Sequence, residues 1–277
     1  NRDFVSIAID VAEEERSPII IAFTPSAITY FGEEYIRGYV YPLLEKSSVP
    51  AALHLDHGRN LEDVVEAIKL GFTSVMIDAS YMSFEENVRL TSNIVKLAHH
   101  FNVAVEGEIG RMLGEEEGDI ISETEELTEP ALAKEFVEQT NVDVLSVAVG
   151  TVHGLKYRNR VRIDLQRLRE ISEVVSIPLA LHGSFGTPDT AIKEAVSLGI
   201  SKINLFLHFW EPFVTGVKDI LKKREKEKYV SPQEILEEAM KNVKEEIRFR
   251  MRLMGCLLYT SDAADELDGV DLGGRRI

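Results

Sequence analysis

Short apolar runs alternate with amphipathic stretches along most of the chain. The runs occupy residues 19–23, 51–55, 75–77, 103–105, 144–149, 179–181 and 203–205. They are apolar without a period of two, the pattern of parallel strands buried on both faces. Three of them follow a proline, Pro18, Pro50 or Pro178, and proline is tolerated where a strand begins because no ladder donor is lost there. Between the runs the spacing predicts helices. Leu61, Val64, Val65 and Ile68 fall at i, i+3, i+4 and i+7 behind a capping Asn60, and Leu165, Leu168 and Ile171 follow Asp164 in the same way. Residues 4–15 read as a helix with no strand ahead of it. A last helix runs through Ile235, Ala239, Val243 and Ile247 and stops near Gly255.

An internal echo sharpens the fold class. Lys69-Leu70-Gly71-Phe72-Thr73-Ser74-Val75 and Ser197-Leu198-Gly199-Ile200-Ser201-Lys202-Ile203 share one design: a helix end, Leu-Gly, a short turn and a strand. Glycine just past a helix adopts the left-handed conformation that stops it. Repeated αβ units of this kind build a parallel sheet. Seven such strands predict an α/β chain with the TIM (β/α)8 barrel fold, lacking its first strand. A doubly wound open sheet is the alternative, but no Gly-x-Gly-x-x-Gly follows an early strand. The 277 residues suit one barrel. We expect that barrel to span residues 1–254, with residues 255–277 a disordered or non-native-looking tail without periodicity.

Composition narrows the partners. Lys and Arg number 31 against 47 Asp and Glu, a net charge of −16. Nucleic acid and anionic membrane surfaces both require a basic face, so neither is expected as a partner. Cys256 is the single cysteine, which excludes an internal disulfide and a cysteine-rich metal site. No apolar run approaches the roughly 18 residues of a membrane span. With no secretory signal pattern at Asn1, a cytoplasmic location is expected.

Polar residues gather where the apolar runs end. The second run closes in His54-Leu55-Asp56-His57-Gly58, the third in Asp78, and the fourth in Glu106-Gly107-Glu108. The fifth closes in His153-Gly154, the sixth in His182-Gly183, and the seventh contains Asn204. In a parallel barrel these ends share one face, where active sites are built. Taken singly, a histidine there is more simply a packed side chain. His57, His153 and His182 in register, each followed by glycine, instead form the three-imidazole set of a catalytic zinc with an open position. His54 reads as a packing or supporting residue, and His99 and His100 as a structural helix end.

The segments Leu53-His54-Leu55-Asp56-His57-Gly58, Val75-Met76-Ile77-Asp78-Ala79-Ser80, Glu106-Gly107-Glu108-Ile109-Gly110, Val149-Gly150-Thr151-Val152-His153-Gly154 and Leu181-His182-Gly183, in that order, resemble class II fructose-bisphosphate aldolase, including its tagatose-bisphosphate branch. The resemblance implies a lyase of carbohydrate metabolism and glycolysis. Such an enzyme reversibly cleaves a ketose phosphate into a dihydroxyacetone phosphate-type ketone and an aldehyde, and is commonly homo-oligomeric. It implies Zn2+ or another divalent metal on His57, His153 and His182, which polarises the substrate carbonyl. Asp78 and Glu108 would hold metal at a second position. Asp56 would carry the C4 hydroxyl proton, and Asn204 would hydrogen-bond the enediolate. The family's second carboxylate sits on a mobile loop, where Glu116 aligns best among Glu115, Glu116 and Glu117; the plain alternative is a solvated acidic loop. Thr24, Gly154, Gly183 and Ser184 stand at substrate-binding positions.

The departures from that family are local. The family has His-Gly-Gly-Ser-Gly where this chain has His182-Gly183-Ser184-Phe185-Gly186. After Asn204 it has two small residues and a threonine, where this chain has Leu205, Phe206 and Leu207, with His208 a candidate replacement cation. Thr24 replaces a serine. Leu113 stands before Gly114 where the family has a glycine pair. The metal set is intact while phosphate recognition is altered, so a non-catalytic or altered-substrate barrel is the second expectation.

Overall fold

A computed structural model describes residues 3–116, 119–122, 125–227 and 229–256. Its strands, in chain order, are β1 (Ile19–Phe23), β2 (Ala51–Gly58), β3 (Ser74–Ile77), β4 (Ala104–Ile109), β5 (Leu113–Glu116), β6 (Asp119–Ser122), β7 (Val144–Val147), β8 (Val152–His153), β9 (Leu179–Leu181) and β10 (Ile200–Ile203). Seven of them form one sheet in the order β1-β2-β3-β4-β7-β9-β10, and the recorded pairings from β2 to β10 are all parallel. This is the α/β architecture of a TIM barrel, with seven strands among the described residues; six overlie the apolar runs, while β10 meets the seventh run only at Ile203, so Asn204 stands just past the strand rather than in it.

The chain divides into two compact units. One comprises residues 20–37 and 52–205 and holds nearly all of the parallel sheet. Its central strands are buried on both faces: Leu53, Leu55, Val75, Met76, Ile77, Val105, Leu145 and Val147 are wholly inaccessible, whereas β1 alternates, with Ile20 and Ala22 exposed. Each such side chain contributes roughly 1.5–3 kcal/mol relative to exposure, which is why the strand sequences tolerate so few polar residues. The connecting helices begin and end where their caps dictate. Asn60 accepts from the Asp63 amide at 2.9 Å and opens the Leu61–Leu70 helix, and Gly71 at φ 89° closes it. Asp164 accepts from the Arg167 amide at 2.9 Å, and Ser83 with Glu86 forms a reciprocal capping box.

The same unit carries a three-stranded sheet in the order β6-β5-β8. The segment expected as a loop after the fourth apolar run is therefore partly strand, with β5 antiparallel to β6 and parallel to β8. Leu113 and Val152 pack there with Tyr157 and Val161, and this small apolar cluster explains why the hairpin holds to the barrel rim. The sequence pattern placed His153 at the end of the fifth apolar run. The structure ends that strand at Val147 and carries His153 on β8 instead.

The other unit, drawn from residues 3–19, 38–51 and 206–256, is mainly helical among the described residues. The Asp3–Glu14 and Pro232–Leu253 helices bury Val11, Ala12, Met240, Val243, Ile247 and Met251 between them. Arg252 binds Glu15 through both carboxylate oxygens at 2.8 and 2.9 Å, and Lys244 and Arg248 bind Glu14. His208 is buried in a short turn of this unit, and Phe206 is exposed against Trp210. Residues 257–277 of the expected tail lie outside the described residues. No helix among the described residues is long and apolar enough to cross a membrane.

Gly216, on the Trp210–Lys223 helix, lies where a Cβ would sit 2.6 Å from Ala239 Cα and 2.7 Å from the Glu238 carbonyl. The obstacle is backbone, so it cannot rotate away. Gly216→Ala is expected to destabilise the chain by about 1–3 kcal/mol, the usual cost of overpacking. Denaturant unfolding of the two proteins checks this, and an unchanged midpoint would refute the close approach.

Candidate metal and acid-base site

Strand alternation begins the construction. Residues two apart on a strand share a face, so His54 pairs with Asp56, Glu106 with Glu108, and Lys202 in β10 with the adjoining Asn204. His57 should then face away from Asp56. A break in register prevents that. Leu55 pairs with Val75, but Gly58 pairs with Ile77, so three steps on β2 oppose two on β3. His57 occupies this bulge at φ 49°, a left-handed conformation that a non-glycine residue adopts at a cost of order 1–3 kcal/mol. The irregularity brings His57 to the same cluster as Asp56.

Three imidazoles meet there. The His57 and His182 rings lie 4.8 Å apart between centroids, His57 and His153 5.4 Å, and His153 and His182 6.2 Å. One nitrogen from each of the three falls within 4.8 Å of the others, and His57, Asp78 and Glu108 form a second group of the same tightness. His57 and His182 are buried, and His153 is half-buried. His57 Nε2 faces His182 Nδ1 at 3.0 Å. Behind each ring stands a carboxylate: Asp78 Oδ2 lies 3.3 Å from His57 Nδ1, and Glu106 Oε1 lies 2.7 Å from His182 Nε2. A carboxylate behind an imidazole draws the ring proton to that side. With both outer nitrogens protonated, two lone pairs face each other across 3.0 Å. That arrangement is repulsive unless a proton or a metal ion lies between them. Two nitrogens bound to one tetrahedral zinc at about 2.0–2.1 Å would stand about 3.3 Å apart, so the donor set fits the ion.

Electrostatics favour a neutral His182 and an ionised Asp56. Burial, with Lys202 and His57 nearby, keeps the His182 ring well below the ordinary histidine pKa. Burial and the Lys202 charge lower His54 to about 3. Burial alone would raise Asp56, but the fields of His57, His182 and Lys202 outweigh it and hold the carboxyl at about 2. Asn204 Nδ2 donates to Asp56 Oδ1 at 2.9 Å, which also favours the anion. Asp78 is likewise lowered: its burial is offset by hydrogen bonds to His57 and Ser80.

The remaining sequence candidates are distributed as follows. Glu108 is buried, accepting from Ser146 Oγ at 3.3 Å. Ser184 is buried and donates to the Asn204 carbonyl at 2.8 Å. Gly154 and Gly183 have φ of 85° and 61° at the turns after β8 and β9. Thr24 caps the Pro25–Phe31 helix, its Oγ1 accepting from the Ala27 amide at 3.2 Å. Glu116 lies on β5, but its side chain lies outside the described ones, as does all of Glu117. His99 is structural: it meets Asp143 at 2.9 Å, and Asp143 also accepts from the Val105 amide. Sequence reasoning placed Glu106 at a strand end without giving it a role, and did not single out Lys202. The signal available was a lysine two positions before Asn204 in an otherwise mostly apolar strand.

Barrel strands that end in histidines and carboxylates define an enzyme class rather than one activity. The comparisons with known proteins narrow it. The chain matches the family described as fructose-bisphosphate aldolase class-II over residues 1–257. It is 39% identical to the fructose-bisphosphate aldolase of Thermus caldophilus, covering 92% of this chain and 90% of that protein. It is 35% identical to the fructose-bisphosphate aldolase of Helicobacter pylori over the same shares. The crystal structure of the YdjI aldolase from Escherichia coli K12 is similar at a TM-score of 0.79 and 32% identity, covering 92% of this chain and 88% of that one. The chain belongs to the class II fructose-bisphosphate aldolase family, a family of aldehyde-lyases.

His153 owes its place to Gly114. At that glycine, φ is 150° and a Cβ would lie 2.3 Å from the His153 carbonyl. Gly114→Ala should therefore push β8 away and lower Zn2+ affinity about tenfold or more. Competition against a chromogenic chelator measures this, and wild-type affinity in the variant would remove β5 from the positioning of His153.

Proposed function

We propose that this chain is a divalent-metal-dependent aldolase that reversibly cleaves a ketose phosphate into a dihydroxyacetone phosphate-type ketone and an aldehyde. The observation that carries this reading is the His57–His182 pair, nitrogen to nitrogen at 3.0 Å, with a carboxylate behind each ring. His57, His153 and His182 would hold the ion, and Asp78 and Glu108 would serve a second position around His57. A bound Zn2+ supplies the electron sink for the substrate carbonyl. Asp56 takes the C4 hydroxyl proton on cleavage and returns it on condensation, and its low pKa keeps it a base throughout the neutral range. Asn204 holds that carboxylate in place and offers its amide to the developing oxyanion. Glu116 is the assigned base at the carbon next to the carbonyl. Residues 1–254 carry the activity, with Thr24, Gly154, Gly183 and Ser184 around the substrate, and residues 255–277 lie outside it. A cytoplasmic homo-oligomer acting on sugar phosphates in glycolysis or related carbohydrate metabolism belongs to the same reading.

A coupled cleavage assay over phosphorylated and unphosphorylated ketoses tests the proposal. Chelation should abolish turnover and Zn2+ should restore it. Asp56→Asn should keep the metal and lose about 10²–10⁴-fold in cleavage, the usual worth of a positioned acid or base. Wild-type turnover in that variant would move the proton transfer to another group.

The altered-substrate alternative has one observation in its favour. The Ser184 hydroxyl, the remaining hydroxyl between Gly183 and Gly186, is already committed to the Asn204 carbonyl. A charge-assisted hydrogen bond is worth about 1.5–3 kcal/mol. Loss of the ketone-side phosphate from the substrate should thus cost less than about 100-fold in kcat/KM, and a far steeper loss would show that these loops bind phosphate strongly.

A further inference from the structure

Glu106 and Lys202 are buried charges that the proposed proton transfers do not use. Their side chains are 1% and 10% exposed. The Glu106 carboxylate is divided between two neighbours: Oε1 lies 2.7 Å from His182 Nε2, and Oε2 lies 2.8 Å from Lys202 Nζ. His54 Nε2 stands 3.6 Å from the same Oε2, with its other ring nitrogen 2.8 Å from Ser74 Oγ. Lysine has only donors, and a carboxylate with one oxygen turned to it must present the other as an acceptor to His182. His182 then carries its proton on Nε2. Its Nδ1 is left with a lone pair, toward which Asn204 Nδ2 lies at 3.3 Å and His57 Nε2 at 3.0 Å.

We infer that Glu106, oriented by Lys202, is a positioning residue that sets the His182 tautomer so that Nδ1 is open to the metal. The inference rests on the metal-triad reading above. It makes a specific claim about an amide at position 106. In Glu106→Gln, Lys202 takes the amide oxygen, so the amide NH2 turns to His182 Nε2. The ring proton then moves to Nδ1 and blocks the ligand position. Removing the lysine as well, in Glu106→Gln with Lys202→Met, frees the amide to rotate and offer its oxygen to His182 again. A purely structural role for the ion pair has no such reversal.

Zn2+ affinity by chelator competition reads this directly. Glu106→Gln is expected to weaken binding by about 10–100-fold, the range for carboxylates behind metal-bound imidazoles. The double variant should recover most of that loss. Affinity unchanged in the single variant, or no tighter in the double than in the single, overturns the inference. His182→Ala separates the two readings. If it binds Zn2+ like wild type, the triad falls and this inference with it; if it loses Zn2+ while Glu106→Gln does not, only the inference falls. A second measurement needs no variant. Imidazole 15N shifts of the metal-free wild-type protein should show His182 protonated on Nε2, and protonation on Nδ1 would overturn the assignment.

Discussion

A carboxylate with 1% of its side chain exposed survives inside a protein only when its charge is matched and both oxygens are occupied. Glu106 meets that condition by drawing His182 to one oxygen and Lys202 to the other, from β9's end and from β10. The constraint ties three strands of one sheet at a single point. It also explains why polar residues interrupt strands that are otherwise apolar. His54, Glu106 and Lys202 lie together as one buried charged layer, and above them Asp56, Glu108 and Asn204 occupy the next positions on the same faces. Hydrophobic burial builds the barrel, but this charged layer fixes where the reactive layer sits.

The reactive layer departs from regular structure at two places. His57 sits in a β-bulge at positive φ, and His153 is carried on a two-residue strand held by β5. The bulge costs stability locally, whereas the β5–β8 pairing is backed by the Leu113, Val152, Tyr157 and Val161 cluster. The bulge is understandable as geometry: the pleat sends the consecutive Asp56 and His57 to opposite faces, so a regular strand could not bring both to one cluster. Strain of order 1–3 kcal/mol at His57 is affordable when Leu53, Leu55 and Val75 beside it are wholly buried. The histidine cluster is thus held by packed surroundings, as the precise positioning of a functional site requires.

Much of this was legible in the sequence. Six of the seven apolar runs overlie strands of the main sheet, the seventh touches β10 only at Ile203, and Asn60 and Asp164 cap helices as their positions suggested. The three histidines, Asp78 and Glu108 were found from strand ends and do come together, as do Asp56 and Asn204. Three features were not readable. The bulge at His57 depends on pairing with β3, which a single strand's sequence does not encode. The β6-β5-β8 sheet arises from short segments without a clear alternation, and so it read as loop. Glu106 and Lys202 lie almost 100 residues apart, and only the sheet register brings the buried lysine to the carboxylate that needs it.

The departures in the phosphate loops take on a different meaning once Ser184 is seen donating to the Asn204 carbonyl. That bond couples the loop after β9 to the residue that holds Asp56. A hydroxyl turned inward to support Asn204 is no longer offered to an anion outside. In the proposed aldolase, bond cleavage depends on Asp56, Asn204 and the histidine cluster, all anchored to strands and to one another. Substrate selection depends on loops where Phe185 and Leu205 replace small residues. The two tasks therefore rest on separate parts of one rim, and the loops are free to change the accepted sugar without disturbing the groups that move the proton. In a barrel of this kind rigid strands hold the site residues, and the turns between them are where the choice of substrate is made.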